Sequence, residues 1–258
     1  MQKNISKKLA VRYRTFTYKN GFIEEERYVI KETRHNLHVN GEYFTSVMLV
    51  PDKQKEFVYG FLFTSGIIES AKDVVNYRMC ENFNIYIYLQ DPRPIGKNSS
   101  WTITSGCGGG KVLDKTFENI SKINGNFEIQ AGKIPELYKQ LELESDLHSV
   151  TRCVHKSYFS GKNNYKFSCD DIGRHNTIDK AIGSLILNDE SSEGVLLSTG
   201  RLTSEMILKC SRAGIPVVVS RTAPSKLGVD LAVRSDMTLI GLATAKSFTV
   251  FNDPGRIK

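Results

Sequence analysis

The run Thr104-Ser105-Gly106-Cys107-Gly108-Gly109-Gly110-Lys111 sets one thiol among glycines and closes on a lysine. Successive backbone N–H groups in a glycine-rich turn can form an anion-binding nest, and a nearby ammonium adds positive charge; both lower a thiol pKa and favour the thiolate. A thiolate can attack a sulfur donor, and the terminal sulfur of the resulting persulfide can pass onward by related exchange chemistry. A glycine-rich turn that merely contains a cysteine fits the same residues, and the local sequence does not separate the two readings. The other cysteines, Cys80, Cys153, Cys169 and Cys210, fall in predicted strands or helices and read as small buried hydrophobes.

A second group of residues suits anion binding. Three loops each follow a predicted strand: Thr199-Gly200-Arg201-Leu202-Thr203, Arg221-Thr222-Ala223-Pro224 and Ala243-Thr244-Ala245-Lys246-Ser247. Two of them lead into predicted helix starts, where unpaired N–H groups attract anions. Arg201 and Arg221 offer guanidinium forks that match phosphate oxygens, and Lys246 adds a third charge. Surface pairing with carboxylates is the plainer role for the same arginines. The glycine spacing matches neither a P-loop nor a G-x-G-x-x-G turn, so ATP and NAD are not indicated. Asp171, Arg174 and His175 precede another predicted helix and could join this face, with His175 as a proton donor or ligand reader; a structural histidine fits equally. His155 reads first as an ordinary strand residue. Cys153-Val154-His155 and Cys169-Asp170-Asp171 lack zinc spacing and the H-x-E…P-C-x-x-C signature is absent, so no metal site is expected.

The elements that must carry these groups can be read in order. Arg27 to Glu32 is strand-like and Asn36 to Asn40 continues it; Asn40-Gly41 signals a tight hairpin, and Tyr43 to Val50 returns. Pro51-Asp52 opens a helix with Phe57, Phe61 and Leu62 at helical spacing and Gly66 at its end. Tyr77 to Cys80 and Asn84 to Leu89 form a strand pair. The breaker-rich stretch from Asp91 to Ser100 marks a boundary, so the chain divides into a small α+β unit, residues 1–100, and a larger α/β unit, residues 101–258. In the larger unit Ile134 to Leu147 reads as a helix. Arg152 to Tyr158 and Tyr165 to Cys169 read as strands, and a helix follows with Asn176 as N-cap and Asp179 in its first turn. From Val195 to Leu242 the pattern is strand, helix, strand, helix, strand, which predicts a parallel sheet with right-handed crossovers. In such sheets ligands bind at the carboxyl ends of the strands, where the three loops fall.

Composition bounds the class. The chain has 258 residues, 40% hydrophobic, enough for a real core, and a net charge of +7 that favours an anionic partner. Five unpaired-looking cysteines without a C-x-x-C argue against a secreted disulfide framework and for a reducing compartment. Residues 1–20 are basic without a signal-peptide apolar run, and no stretch approaches the ~20 apolar residues of a membrane span. A cytoplasmic protein is expected, with no membrane association. No aromatic-basic module supports nucleic-acid binding.

Several motifs together resemble the formate dehydrogenase accessory sulfurtransferase family, the FdhD/NarQ proteins. They are His38-Val39-Asn40-Gly41, Gly60-Phe61-Leu62-Phe63-Thr64-Ser65-Gly66-Ile67-Ile68, Asp170-Asp171-Ile172-Gly173-Arg174-His175-Asn176 with Asp179-Lys180, Gly200-Arg201 with Ser204-Glu205-Met206, Ala213-Gly214-Ile215-Pro216, and Ala223-Pro224. The resemblance implies a sulfurtransferase that takes sulfur from a cysteine desulfurase. It would deliver that sulfur to the molybdenum or tungsten bis-molybdopterin guanine dinucleotide (bis-MGD) cofactor of formate dehydrogenase. It also implies a cytidine deaminase-like larger unit, a homodimer, and apo formate dehydrogenase as recipient. The persulfide cysteine falls on Cys107, and the cofactor-binding segment on Leu242, Ala243, Thr244, Ala245, Lys246 and Ser247, beside the Arg201, Arg221 and His175 already picked out. A cofactor escort without sulfur chemistry is the alternative. The chain departs from the family where Gly110 stands in place of a second loop cysteine, and where Thr151-Arg152-Cys153-Val154-His155 replaces a T-G-G-x-H stretch.

Overall fold

The computed structural model describes residues 8–91, 101–103, 111–113, 120–143 and 146–258. Cys107 and the glycines around it lie outside the described residues. They fall between two short antiparallel strands, β7 (Trp101–Ile103) and β8 (Lys111–Leu113).

Among the described residues the largest sheet has six strands, in the order β10-β9-β11-β12-β13-β14. Its centre is β11 (Gly194–Ser198), β12 (Val217–Ser220) and β13 (Thr238–Gly241), all parallel, as the strand–helix alternation predicts. These strands are buried on both faces, which is why they read as unbroken apolar runs. β9 (His155–Gly161) and β10 (Lys166–Asp171) extend the sheet antiparallel on one side. On the other side β14 (Thr249–Asn252) closes it, a half-exposed antiparallel edge strand that the sequence reading does not reach. Odd and even strand positions feed two layers. Leu196, Val218 and Leu239 pack against three helices, α4 (Arg174–Asn188), α5 (Ser204–Arg212) and α6 (Lys226–Arg234). Val195, Val217, Val219 and Ile240 pack on the opposite face against α2 (Lys133–Leu143).

Ahead of this lie two smaller sheets. β3 (Thr33–Val39) and β4 (Glu42–Leu49) form the expected hairpin; Asn40 (φ 51°) and Gly41 (φ 85°) both take the left-handed conformation such a turn needs. With β5 (Val74–Met79) and β6 (Asn84–Leu89) they make a sheet of order β4-β3-β6-β5, and α1 (Gln54–Thr64) packs its buried residues against it. β1 (Ala10–Tyr18) and β2 (Phe22–Ile30) form a separate two-stranded ribbon. Asn36 to Asn40 therefore does not continue the strand before it: the chain leaves the ribbon at Ile30 and starts a new sheet at Thr33.

Other expectations shift for local reasons. The helix expected over Ile134 to Leu147 ends at Leu143, and a second, α3 (Asp146–Thr151), follows. Helix α4 begins at Arg174, so its N-cap is Gly173, and Asn176 sits inside the first turn. There its side-chain amide donates to Asp171 Oδ1 (2.8 Å) and to the Met48 carbonyl (3.0 Å). Asp179 does not serve the helix terminus. It is buried beside α5, accepting from Lys209 Nζ at 2.6 Å and from the Thr64 hydroxyl at 2.7 Å. Burial pushes its carboxyl up, against the pull of Lys209. Asp171 is fully buried and fully used: it pairs with Lys180 Nζ at 2.7 Å and accepts from the backbone N–H groups of Val50 and Gly173. These buried pairs fix where α1 and β4 meet α4; removing one member would strand the other charge in a dry interior.

Candidate functional site

The carboxyl ends of β11, β12 and β13 are stitched to one another. Arg221 N–H donates to the Ser198 carbonyl (3.3 Å), while the Ser220 and Thr222 hydroxyls both donate to the Gly200 carbonyl (2.6 and 3.1 Å). Leu242 N–H donates to Thr222 and Ala243 N–H to Ser220. The three loops chosen from sequence therefore form one edge, with Arg201 and Arg221 exposed on it. Because β9 and β10 run antiparallel to their neighbours, the start of β9 and the end of β10 reach the same edge: Ser198 stands opposite Ser157, and Asp171 opposite His155. That register brings His155 to Thr199, with Nδ1 3.3 Å from its Oγ1. It also starts α4 there, placing Arg174 and His175.

Arg174 is the unusual member. Its side chain is 3% exposed, yet Nε and Nη2 meet no hydrogen-bond partner among the described residues. The stem runs over Gly200, where an added Cβ would stand 2.7 Å from Arg174 Cβ and 3.1 Å from its Cδ. A buried guanidinium without acceptors is costly, because burial disfavours charge and leaves N–H groups unpaired. An anion arriving at this edge would supply the missing acceptors.

The surroundings are positive. Burial, then the charges of Arg174, His175, His148 and Arg201, pushes His155 below its ordinary value. His148 is lowered in the same direction by burial and by Lys156, Arg152 and Arg221. A ligand bringing negative charge would offset the part of both shifts that comes from neighbouring cations. Among the described residues, no group of three His, Cys, Asp or Glu side chains could hold a metal ion.

The expected residues fall into three groups. Arg201, Arg221 and the start of the 242–247 segment share the strand-end edge. In that segment the backbone is largely committed: Thr244 Oγ1 accepts from the N–H groups of Lys246 (3.1 Å) and Ser247 (3.0 Å), and Thr244 N–H donates to Ser247 O. What it offers outward is the Lys246 ammonium and the half-exposed Leu242 side chain, with the Ser247 hydroxyl beside Thr244 Oγ1 (3.1 Å), while Ala243 is buried and Ala245 partly so. His175 is buried in the first turn of α4, its Nε2 3.1 Å from Glu205 Oε2 in the first turn of α5. It faces the helix pair. Cys107 lies outside the described residues, so its distance from this edge is not part of the site's geometry. The reading of the other cysteines divides: Cys169 and Cys210 are buried, with thiols pushed up to about 12 by burial, but Cys153 is exposed and Cys80 half-buried. Cys153 lies in the link from α3 to β9, next to Arg152 with its left-handed φ of 52°. The sequence places Arg174 only in a run that could join this face and does not mark His148 at all; burial without a partner has no sequence signature.

Comparison with known proteins then adds the lineage. The FdhD/NarQ family profile matches residues 30–258. A sulfur carrier protein FdhD from Wolinella succinogenes is 32% identical over 239 residues, covering 91% of this chain and 84% of that protein. One of the same name from Sulfurisphaera tokodaii is 28% identical over the full length of both chains. The crystal structure of a protein from Desulfotalea psychrophila, described as a formate dehydrogenase accessory protein, superposes with a TM-score of 0.85 at 30% identity, covering 97% of this chain and 100% of the other.

Proposed function

From the premise that this chain belongs to the FdhD/NarQ family, we propose that it is a sulfur carrier for formate dehydrogenase, a sulfurtransferase with Cys107 as its persulfide site. The reading extends to a cysteine desulfurase as donor, the Mo or W bis-MGD cofactor as acceptor, apo formate dehydrogenase as recipient and a homodimer in the cytoplasm. It takes the larger unit, residues 101–258, as cytidine deaminase-like and residues 1–100 as a small α+β unit. The observation that carries the acceptor half is the buried Arg174 at the ends of β11 to β13, whose Nε and Nη2 have no partner among the described residues. A guanine dinucleotide brings a pyrophosphate, whose oxygens suit that fork and the exposed Arg201 and Arg221.

In the first step the Cys107 thiolate attacks the terminal sulfur of the desulfurase persulfide; a new S–S bond forms at Cys107 and the donor leaves as thiolate. The cofactor, held by its dinucleotide at the strand ends, is the acceptor of that sulfur. With Gly110 in place of a second loop thiol, a single-cysteine relay is favoured over an internal disulfide cycle. Incubating the protein with a cysteine desulfurase and cysteine, then weighing its peptides, should find one added sulfur on the Cys107 peptide. An unmodified Cys107 peptide beside a charged desulfurase would end the proposal.

The acceptor site has its own test. Arg174→Gln should weaken binding of a guanosine diphosphate probe by about 1.5–3 kcal/mol, the range for a hydrogen bond to a charged group, read by isothermal calorimetry. The same variant should still load sulfur at Cys107. Unchanged affinity would remove Arg174 from the site.

A further inference from the structure

Helix α4 has unlike surroundings at its two ends. Its N-terminus carries Arg174 to the cationic strand ends. Its C-terminus borders a hollow of about 360 Å³, where the end of α1 and the segment after it meet the last turns of α4. Phe63, Ala71, Leu185, Ile186 and Ala213 give the hollow an apolar lining. Its volume lies within the range of pockets that bury a ligand.

The rim is acidic. Glu69, Asp189 and Glu190 line it against one lysine, Lys72. Glu69 is engaged by Arg212 at 2.8 Å. Asp189 and Glu190 make no ion pair among the described residues. Their position is unfavourable for a chain on its own. A helix C-terminus is the negative end of the helix, where lysine or arginine is favoured, and α4 has no basic residue in its last turn. Asp189 also takes a left-handed φ of 52°, a conformation that glycine or asparagine ordinarily fills at a helix end. Nor does composition explain the two carboxylates, since the chain carries a net charge of +7.

Free carboxylates, a negative helix end and an apolar floor together suit a cation joined to an apolar body. In a protein that is lysine or arginine beside leucine-like side chains, as on a basic amphipathic helix laid into a groove. Burial of the apolar side chains supplies affinity, and the charges fix orientation and choice of partner. The 15 residues of α4 span about 22 Å, so a partner seated at this end leaves the strand-end edge open to its own ligand.

We infer that the hollow at the C-terminus of α4 is a docking site for a basic amphipathic helix of a partner protein, separate from the anion-binding edge at the other end of the same helix. The inference does not depend on sulfur chemistry.

The probe is a fluorescein-labelled helical peptide with leucines along one face flanked by arginines; its companion has glutamate at each arginine position. Fluorescence anisotropy with the full chain should show saturable binding of the arginine peptide and at least about tenfold weaker binding of the glutamate peptide. On a chain of net charge +7 that preference must come from the rim. Asp189→Lys combined with Glu190→Lys should reverse it. Ser192→Trp, at a half-buried lining position, should fill the hollow and weaken both peptides. Saturating guanosine diphosphate should leave the peptide affinity unchanged. The charge-reversed variant should still load sulfur at Cys107, so failure of the docking site and failure of the carrier mechanism are separable results. No binding of the arginine peptide, equal binding of the two peptides, a preference unmoved by charge reversal, or competition with guanosine diphosphate would each overturn the inference. So would an oligomer that charge reversal dissociates in sedimentation equilibrium, which would mean that a second copy fills the hollow.

Discussion

Cys107→Ala is expected to abolish maturation of formate dehydrogenase while leaving the protein folded and its nucleotide affinity intact. The loss should be on the order of 10³-fold or more in sulfur transfer, the scale on which removing a covalent nucleophile acts. Alanine removes only the sulfur atom. The residue lies in a glycine-rich run between β7 and β8, apart in sequence from the strands that build the cores. Formate dehydrogenase activity in cells lacking the native protein, complemented with wild type or variant, is the measurement. Full complementation by Cys107→Ala would sink the carrier mechanism and leave a cofactor escort, which needs the cationic edge but no thiol. Cys153→Ala is the informative companion, since Cys153 is the exposed cysteine among the described residues. If a single-cysteine relay operates, Cys153→Ala complements fully.

The strand-end edge was legible because its signals are local. Val-rich runs such as Val217-Val218-Val219 announce buried parallel strands, and the loops after them follow at once. Asn40-Gly41 announced its hairpin for the same reason: the turn is decided by the φ of those two residues. What sequence could not reveal depends on register between distant segments. His155 reaches the site only because β9 runs antiparallel to β11, and Arg174 is noteworthy only because tertiary packing buries its Nε and Nη2 without a partner among the described residues. Asp179 shows how a local rule misleads. Its place early in a helix suggests a terminus charge, but its carboxylate is committed to Lys209, thirty residues on, and to Thr64, 115 residues back. Likewise Asn176 has the composition of an N-cap and serves as a clamp between Asp171 and the Met48 carbonyl.

Gly60→Ala should be the most damaging substitution for the fold. Gly60 in α1 and Gly183 in α4 sit face to face where the two helices touch backbone to backbone. A Cβ on Gly60 would land on the Asp179 carbonyl, 2.6 Å from its carbon and 2.8 Å from Gly183 N; one on Gly183 would land on the Glu56 carbonyl, 2.7 Å from its carbon and from Gly60 N. Neither obstacle is a side chain that can rotate away, so the helices must separate. Separation opens the packing of Phe57, Leu62 and Ile182. It also moves Asp179, whose carbonyl is the one struck, away from its buried partner Lys209 on α5. Overpacking alone costs ~1–3 kcal/mol; with the disturbed ion pair, a loss of at least about 3 kcal/mol is expected from denaturant unfolding. Gly132→Ala is the control: no atom stands within 4 Å of its Cβ, and its change should stay within about 0.5 kcal/mol. The double variant Gly60→Ala, Gly183→Ala discriminates further. Once one methyl has pushed the helices apart, the second enters space already opened, so the pair should cost clearly less than the sum of the two. Strict additivity would mean that each methyl is absorbed by local bending, and that the α1–α4 contact is not the rigid joint that holds the N-terminal sheet against the site-bearing helix.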